Sequence, residues 1–116
     1  MTVKRIEAGS RMSQAVIHGD TVYLAGQVAL KSPGKPVGAQ TKEILASIDR
    51  LLGEAGTDKS KLLSAQIWLA DIATFNEMNE VWDAWLAPGS APARATVESK
   101  LAAPDFTVEI MVIAAR

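Results

Sequence analysis

Two charged residues near the C-terminus are of types that could do chemistry together. Arg94 follows Pro92 and Ala93 at the start of a predicted strand, and Glu109 lies midway along the next predicted strand. A guanidinium can bind a carboxylate with two hydrogen bonds, which would hold a small 2-keto or 2-imino acid in one orientation. A carboxylate within reach can position or deprotonate a water molecule. If the fifth and sixth strands pair as a hairpin, the two side chains can face the same side.

The spacing of these two residues also has a simpler interpretation. Arg–Glu pairs on strands are common and contribute little to stability. On spacing alone, a structural salt bridge or two solvated charges is therefore favoured over a site.

Two other residues are weaker candidates, and a third shares a strand face with Arg94. Gly26 lies near the end of the third predicted strand, where a glycine suggests a bulge or a close approach by backbone or ligand. Thr96 has the same strand parity as Arg94, so it should share a face with it. Asn79 lies beside the apolar stripe of the second predicted helix and could contact a ligand, although an exposed asparagine is the simpler interpretation.

The composition excludes several classes of site. The 116 residues predict one domain spanning 1–116. There is no cysteine, which excludes disulfides and thiolate chemistry, and His18 alone predicts no metal site. The net charge of −1 argues against nucleic acid as a partner. No apolar run reaches the roughly 18 residues of a membrane span, and no apolar signal core follows Met1–Arg5, so we expect a cytoplasmic protein with no membrane partner.

The hydrophobic pattern predicts six strands and two helices. The strands are predicted at residues 3–7, 13–18, 21–26, 61–70, 93–101 and 106–114, and the helices at 37–55 and 74–86. Thr74–Glu77 fits a capping box at the start of the second helix. The order β-β-β-α-β-α-β-β predicts an α+β fold. Because two helices can cover only one face of the sheet, we expect a homo-oligomer that closes a barrel-like core over the other.

The chain resembles the RidA/YjgF family of small reactive-intermediate deaminases over nearly its whole length. Ser13–Val16 followed by Val22–Gln27 resembles the family's N-terminal hairpin. Pro92–Val97 and Val108–Ile110 match its C-terminal signature, and this second match is the specific one.

The resemblance implies a chorismate-mutase-like fold, in which two helices pack on one face of a six-stranded mixed sheet. It also implies a homotrimer with clefts between subunits. Family deaminases hydrolyse imines or enamines such as 2-aminoacrylate to 2-keto acids and ammonia, and no metal or organic cofactor is implied.

The resemblance also implies a role for each candidate residue. Arg94 would bind the substrate carboxylate, and Glu109 would position the attacking water. The backbones of Gly26 and Thr96 would line the site, together with Asn79.

Three positions depart from the usual family pattern. Met12 stands where the family often has a tyrosine that reaches the neighbouring cleft, so it would contact substrate without offering a hydroxyl. Thr96 replaces a common cysteine, and Met111 replaces a second glutamate. These departures indicate a divergent branch with a different substrate or a weaker deaminase activity.

Two other functions are compatible with the same residues. A non-catalytic trimer could bind a small carboxylate in the same cleft, as a sensor or a chaperone-like module. An endoribonuclease, an activity attached to some relatives, is disfavoured because the chain has little basic surface and no pair of histidines for acid–base work.

Overall fold

A computed structural model describes all 116 residues and contains the eight predicted elements in the predicted order. The strands are β1 (Val3–Ala8), β2 (Ser13–His18), β3 (Thr21–Leu24), β4 (Leu62–Leu69), β5 (Ala93–Glu98) and β6 (Val108–Ala115). The helices are α1 (Val37–Glu54) and α2 (Phe75–Trp85). The largest boundary error is in β5, which ends three residues before its predicted end at Leu101; β3 ends two residues early, and β6 begins two residues late.

The six strands form one mixed sheet in the order β1-β2-β3-β6-β4-β5. The C-terminal strand β6 lies inside the sheet and pairs antiparallel with both β3 and β4. Only β4 and β5 are parallel, and α2 connects them. The α+β class and the six-stranded mixed sheet are confirmed.

The core lies between the sheet and the helices. On β4 the buried positions that alternate are Ala65, Ile67 and Leu69, and on β6 they are Val108, Ile110, Val112 and Ala114. The predicted stripe of α1 packs against them, and its members are Ile44, Leu45, Ile48, Leu51 and Leu52. This two-residue alternation on the strands, against a helical stripe, defines a buried face of the sheet.

The opposite face of the sheet, here called the outer face, is covered by no other element of the chain. It carries the residues that alternate with the core positions, including Tyr23, Trp68, Val97, Met111 and Ile113. Tyr23 is 44% exposed and Val97 is 46% exposed. A sheet face this apolar is unusual for the surface of an isolated chain.

The predicted capping box at the start of α2 is wrong. A short 3₁₀ turn at Ile72–Thr74 runs directly into the helix, so Thr74 is not extended, and its side chain makes no capping bond. Glu77 instead accepts a hydrogen bond from the Gly38 N–H, at 2.8 Å. This contact caps α1, whose own N-cap residue, Pro36, has no side chain that can accept a hydrogen bond.

The alternation of Leu63, Ala65, Ile67 and Leu69 in the sequence predicts one buried face of β4, and this prediction is wrong at Leu63. Leu63 is 50% exposed, whereas Leu62 is buried. The register with β6 shifts between Leu62 and Ser64, and this irregularity reverses the alternation at the start of the strand.

Candidate active site

Arg94 lies on the edge strand β5 and faces the helix layer. Its partner across the parallel pair is Ala65, a core residue, so the side chain projects towards α2. Its Nη1 donates a hydrogen bond to Oδ1 of Asn79, at 2.7 Å. The guanidinium carbon lies 5.7 Å from the ring centroid of Phe75 and 5.5 Å from that of Trp82. Arg94 is therefore held by α2.

The charge of Arg94 is not neutralised within the chain. Both ion pairs of the chain belong to Arg50. Glu98, which shares the strand parity of Arg94, accepts a hydrogen bond from the Ile72 N–H at 3.0 Å. Arg94 and Asn79 line an open cavity of about 540 Å³ beside α2. A positioned guanidinium without a carboxylate is suited to bind an anion.

Thr96 accompanies Arg94 on the same side of β5. Its hydroxyl oxygen is buried and has no hydrogen-bond partner. In a parallel pair, every second residue points its backbone N–H and C=O to the neighbouring strand. Ser99 donates its N–H to the Leu69 carbonyl of β4, so on β5 the odd-numbered residues point to β4. By this alternation the N–H and C=O of Thr96 point off the free edge of the sheet, where a ligand could reach them.

Glu109 lies on the outer face, on the other side of the sheet from Arg94. It pairs with Trp68 on β4, between the buried residues Val108 and Ile110. Partial burial disfavours the charged form and raises the pKa of the Glu109 carboxyl above its usual value. A partly desolvated carboxylate of this kind is a candidate for acid–base work.

The Glu109 carboxylate packs against Gly26, in the space that a side chain at this position would fill. A Cβ atom built on Gly26 would lie 2.1 Å from Oε2 of Glu109, so no larger residue fits without displacing that side chain. Tyr23 pairs with Ile113, and Gln27 forms a bridge with Ile110. Between these two pairs, the segment after β3 advances four residues while β6 advances three. The extra residue is the bulge that the glycine suggested. The N–H and C=O of Gly26 make no hydrogen bond within the chain, which leaves them free for a ligand.

Met12 lies at the same end of the sheet as Gly26. It immediately precedes β2, whose Gln14 carbonyl accepts the Ala25 N–H, and its side chain is 48% exposed. The sequence suggested Gly26-Gln27 only as backbone groups for a ligand; it did not indicate a role for the Gln27 side chain, which is buried and donates to Oε1 of Gln14 at 2.9 Å. This bond fixes the chain on either side of the bulge.

The candidate residues form two separate groups. Arg94, Asn79 and Thr96 make up the Arg94 half-site, at β5 and α2; Glu109, Gly26 and Met12 make up the Glu109 half-site, at the outer face. The expectation that Arg94 and Glu109 share a side is wrong. It assumed that β5 and β6 pair as a hairpin, whereas β4 lies between them and the register places the two residues on opposite faces.

Two aromatic residues of the Arg94 half-site, Phe75 and Trp82, belong to the apolar stripe of the second helix in the sequence, which favours core packing, although Trp82 could also line a pocket. Phe75, Asn79 and Trp82 occupy positions i, i+4 and i+7 of α2, which places all three on one side of the helix. This spacing was visible in the sequence. The contact with Arg94 was not, because it depends on how α2 packs on β5.

A cavity larger than the one beside Arg94 lies away from both half-sites. It measures about 750 Å³ and lies between α1 and α2, where Leu45, Val81 and Trp85 contribute its apolar wall. It includes neither Arg94 nor Glu109. No three His, Asp or Glu side chains converge in a way that could hold a metal ion.

The fold and the two half-sites define a small α+β protein with an unpaired guanidinium and a desolvated carboxylate. Comparison with known proteins identifies the family. The family model described as Endoribonuclease L-PSP matches residues 2–116. The chain belongs to this family, which is the RidA/YjgF family.

Individual relatives resemble the chain over its full length. It is 46% identical to a RutC family protein of Haemophilus influenzae, covering 98% of both chains. It is 43% identical to the RutC family protein YoaB of Escherichia coli, covering 99% of both. A solved structure of a YjgF family member from Neisseria meningitidis has a TM-score of 0.96 at 42% identity, and the match covers 100% of this chain and 96% of the other.

Neither helix is long and apolar enough to cross a membrane.

Proposed function

We propose that this protein hydrolyses small 2-imino acids, or the enamines in equilibrium with them, to 2-keto acids and ammonia. The observation that carries the proposal is Arg94, a guanidinium fixed by Asn79 and two aromatic rings yet left without a carboxylate partner. A substrate carboxylate would supply the missing partner with two parallel hydrogen bonds. Family membership supports the same reaction class.

The site would be shared between two copies of the chain in a homotrimer. Arg94 and Glu109 lie on opposite faces of one sheet, so within one chain they cannot both reach a small ligand. A neighbouring copy docked on the outer face would bring its Arg94 half-site to the first copy's Glu109 half-site. The apolar outer face supports this assembly, since burying it removes Tyr23, Val97 and Met111 from water.

The reaction then follows from the two half-sites. Arg94 of one copy binds the carboxylate and fixes the imine carbon next to Glu109 of the other. Glu109, as a carboxylate, accepts a hydrogen bond from a water molecule, whose oxygen bonds to the imine carbon while the nitrogen gains a proton. The hydroxyl proton of the resulting carbinolamine passes to its nitrogen, and the C=O bond forms as the C–N bond breaks and ammonia leaves. Holding water and imine together supplies an orientation advantage over hydrolysis in bulk water.

Removal of Arg94 tests this proposal. An imino acid such as 2-aminoacrylate is generated in situ, and its decay is followed with wild type, Arg94→Ala and Arg50→Ala. Arg50→Ala is the matched control because Arg50 sits in an exposed ion pair with Glu7. We expect Arg94→Ala to slow the catalysed decay by about tenfold to a hundredfold, the range for a hydrogen-bonded charge pair, and Arg50→Ala to match wild type. Decay that is equally slow with wild type and with Arg94→Ala would contradict a deaminase function for that substrate.

A second candidate is a trimer that binds a small carboxylate without converting it. The observation behind it is Met12, which offers no hydroxyl at an exposed position of the Glu109 half-site. Titration with 2-oxobutanoate separates the two functions. Binding that depends on Arg94, without any acceleration of imine decay, would favour the binding function. Cleavage of added RNA by the purified protein would contradict both.

A further inference from the structure

Three residues of α2 contact one guanidinium. Phe75, Asn79 and Trp82 are spaced at i, i+4 and i+7, and each meets Arg94 from the same side of the helix. The Asn79 oxygen accepts one N–H from Nη1, and the two rings lie within 6 Å of the guanidinium carbon, the range of a cation–π contact. No other hydrogen bond is made by the Arg94 side chain within the chain.

These partners fix the orientation of Arg94 and leave its charge available. An aspartate or glutamate in their place would neutralise the cation and occupy its donors. Neither an aromatic ring nor an amide carries a formal charge. A ring face attracts the cation through its quadrupole, and an amide oxygen accepts one N–H. Four of the five guanidinium N–H donors therefore have no partner in the chain.

We propose that Phe75, Asn79 and Trp82 are positioning residues that preorganise Arg94 for a planar carboxylate. Asn79 then acts through Arg94, in contrast to the direct contact with substrate that the sequence suggested. The proposal rests on the proposed function in one respect, that the carboxylate belongs to the substrate. Preorganisation matters because an arginine that must be ordered on binding loses side-chain entropy, which weakens the complex.

The competing interpretation is that the two rings only fill space. Trp82 is 3% exposed and belongs to the hydrophobic core, so its size alone stabilises α2. Phe75 is 37% exposed at the first residue of the helix, where packing contributes less. Trp85 offers a comparison, because its ring lies 5.4 Å from that of Trp82 but contacts Lys59 and Asp49.

The first measurement needs no substrate. The ¹⁵N–¹H signals of the arginine side chains are recorded for wild type, Trp82→Phe, Phe75→Leu and the matched control Trp85→Phe, with Arg94→Lys used to assign the Arg94 signal. We expect a slowly exchanging, ring-shifted Arg94 signal in wild type and Trp85→Phe, and an averaged signal in Phe75→Leu and Trp82→Phe. Equal Arg94 signals in all of these proteins would overturn the proposal.

The second measurement asks whether order matters for binding. The dissociation constant of 2-oxobutanoate is measured for the same variants, alone and combined with Arg94→Ala. We expect Phe75→Leu and Trp82→Phe each to weaken binding by about threefold to tenfold, because the first removes a cation–π contact and the second replaces the stronger indole ring with a weaker one, and to have no effect once Arg94 is alanine. Weakening that persists in the Arg94→Ala background would show a role in packing only, and would also overturn the proposal.

The two measurements separate this inference from the proposed function. An ordered Arg94 signal that depends on the rings, in a protein that accelerates no imine decay, would reject the deaminase and keep the positioning role. Acceleration of imine decay that Trp82→Phe and Trp85→Phe alter equally would keep the deaminase and reject the positioning role.

Discussion

Arg94 carries a charge that no acidic side chain of its own subunit neutralises, and this property defines the site. The Pro-Ala-Arg stretch was enough to select the residue from the sequence. Its surroundings could not be selected in the same way, because Phe75, Asn79 and Trp82 precede it by 12 to 19 positions and meet it only through the packing of α2.

Replacement of Glu109 by glutamine should stabilise the folded chain at neutral pH. Burial raises the pKa of the Glu109 carboxyl in the folded state, so between the usual carboxyl pKa and this raised value the folded chain binds more protons than the unfolded chain. Stability contributed by the protonated form is present below that window and is lost as pH rises through it. We expect Glu109→Gln to melt above wild type at about pH 7 and equally with it at about pH 4.

Thermal melts across this pH range provide the check, with Glu54→Gln as the control. Glu54 is exposed and pairs only with Arg50, so its replacement should raise the melting temperature at no pH. A Glu109→Gln protein that is less stable than wild type near neutrality would contradict the desolvated carboxylate.

Alanine at position 26 should remove activity and preserve the fold. The new Cβ would lie 2.1 Å from Oε2 of Glu109 and would push the carboxylate out of its seat. Gly26 has no left-handed backbone conformation, so the effect is steric. We expect imine hydrolysis to fall at least about tenfold, as misplacement of a catalytic group implies.

Gly53→Ala is the control for the same chemical change. Gly53 lies in α1, and a Cβ atom added there would have no heavy atom within 4 Å. Alanine at this position should stabilise the helix by about 0.5–1 kcal/mol without affecting the rate. Full activity in Gly26→Ala would show that Glu109 is not held by this contact.

At the scale of the elements, the alternation and the helical stripes predicted six strands and two helices in the right order. Strand neighbours were harder to predict, because nothing local in Val108–Ala115 indicates that the last strand enters the middle of the sheet. The insertion of β4 between β5 and β6 separates Arg94 from Glu109. The capping box failed for a similar reason, since Glu77 caps α1 across the helix layer.

Gln40 links α1 to the entrance of β6, and its replacement should be costly. The side chain is fully buried and donates to the carbonyls of Lys35 and Asp105, at 3.0 and 2.9 Å, while its oxygen accepts the Thr107 N–H at 2.9 Å. Alanine would leave the Lys35 carbonyl and the Thr107 N–H without partners, whereas the Asp105 carbonyl would keep the N–H of Gly34. We expect Gln40→Ala to lower the free energy of unfolding by about 2–4 kcal/mol in urea denaturation.

The exposed Lys42, two residues along the same helix, is the control for this measurement. Its alanine variant should stay within about 0.5 kcal/mol of wild type. Comparable losses in the two variants would mean that the hydrogen bonds of Gln40 contribute nothing specific.

At the scale of the whole molecule, an apolar outer face predicts association. Val97 is 46% exposed on this face and lies across β4 from Glu109, so a charge there would be buried in the proposed trimer. We expect Val97→Asp to sediment as a monomer at concentrations where wild type is a trimer, because an unpaired buried charge is strongly unfavourable. Ala46→Asp, on the exposed side of α1, should remain trimeric. If Val97→Asp and Ala46→Asp both remain trimeric, the outer face is not the interface.

The central claim is that Arg94 and Glu109 act on one substrate from two different subunits. It is tested most directly by mixing Arg94→Ala and Glu109→Gln chains, each expected on its own to be at least about tenfold slower than wild type, and reassembling them from denaturant in equal amounts. If subunits combine at random, about one quarter of the sites pair an intact Arg94 with an intact Glu109 from the neighbouring copy. We predict that about one quarter of the wild-type rate of imine hydrolysis returns on mixing. A mixture of confirmed hybrid oligomers that stays as slow as its two components would contradict the claim.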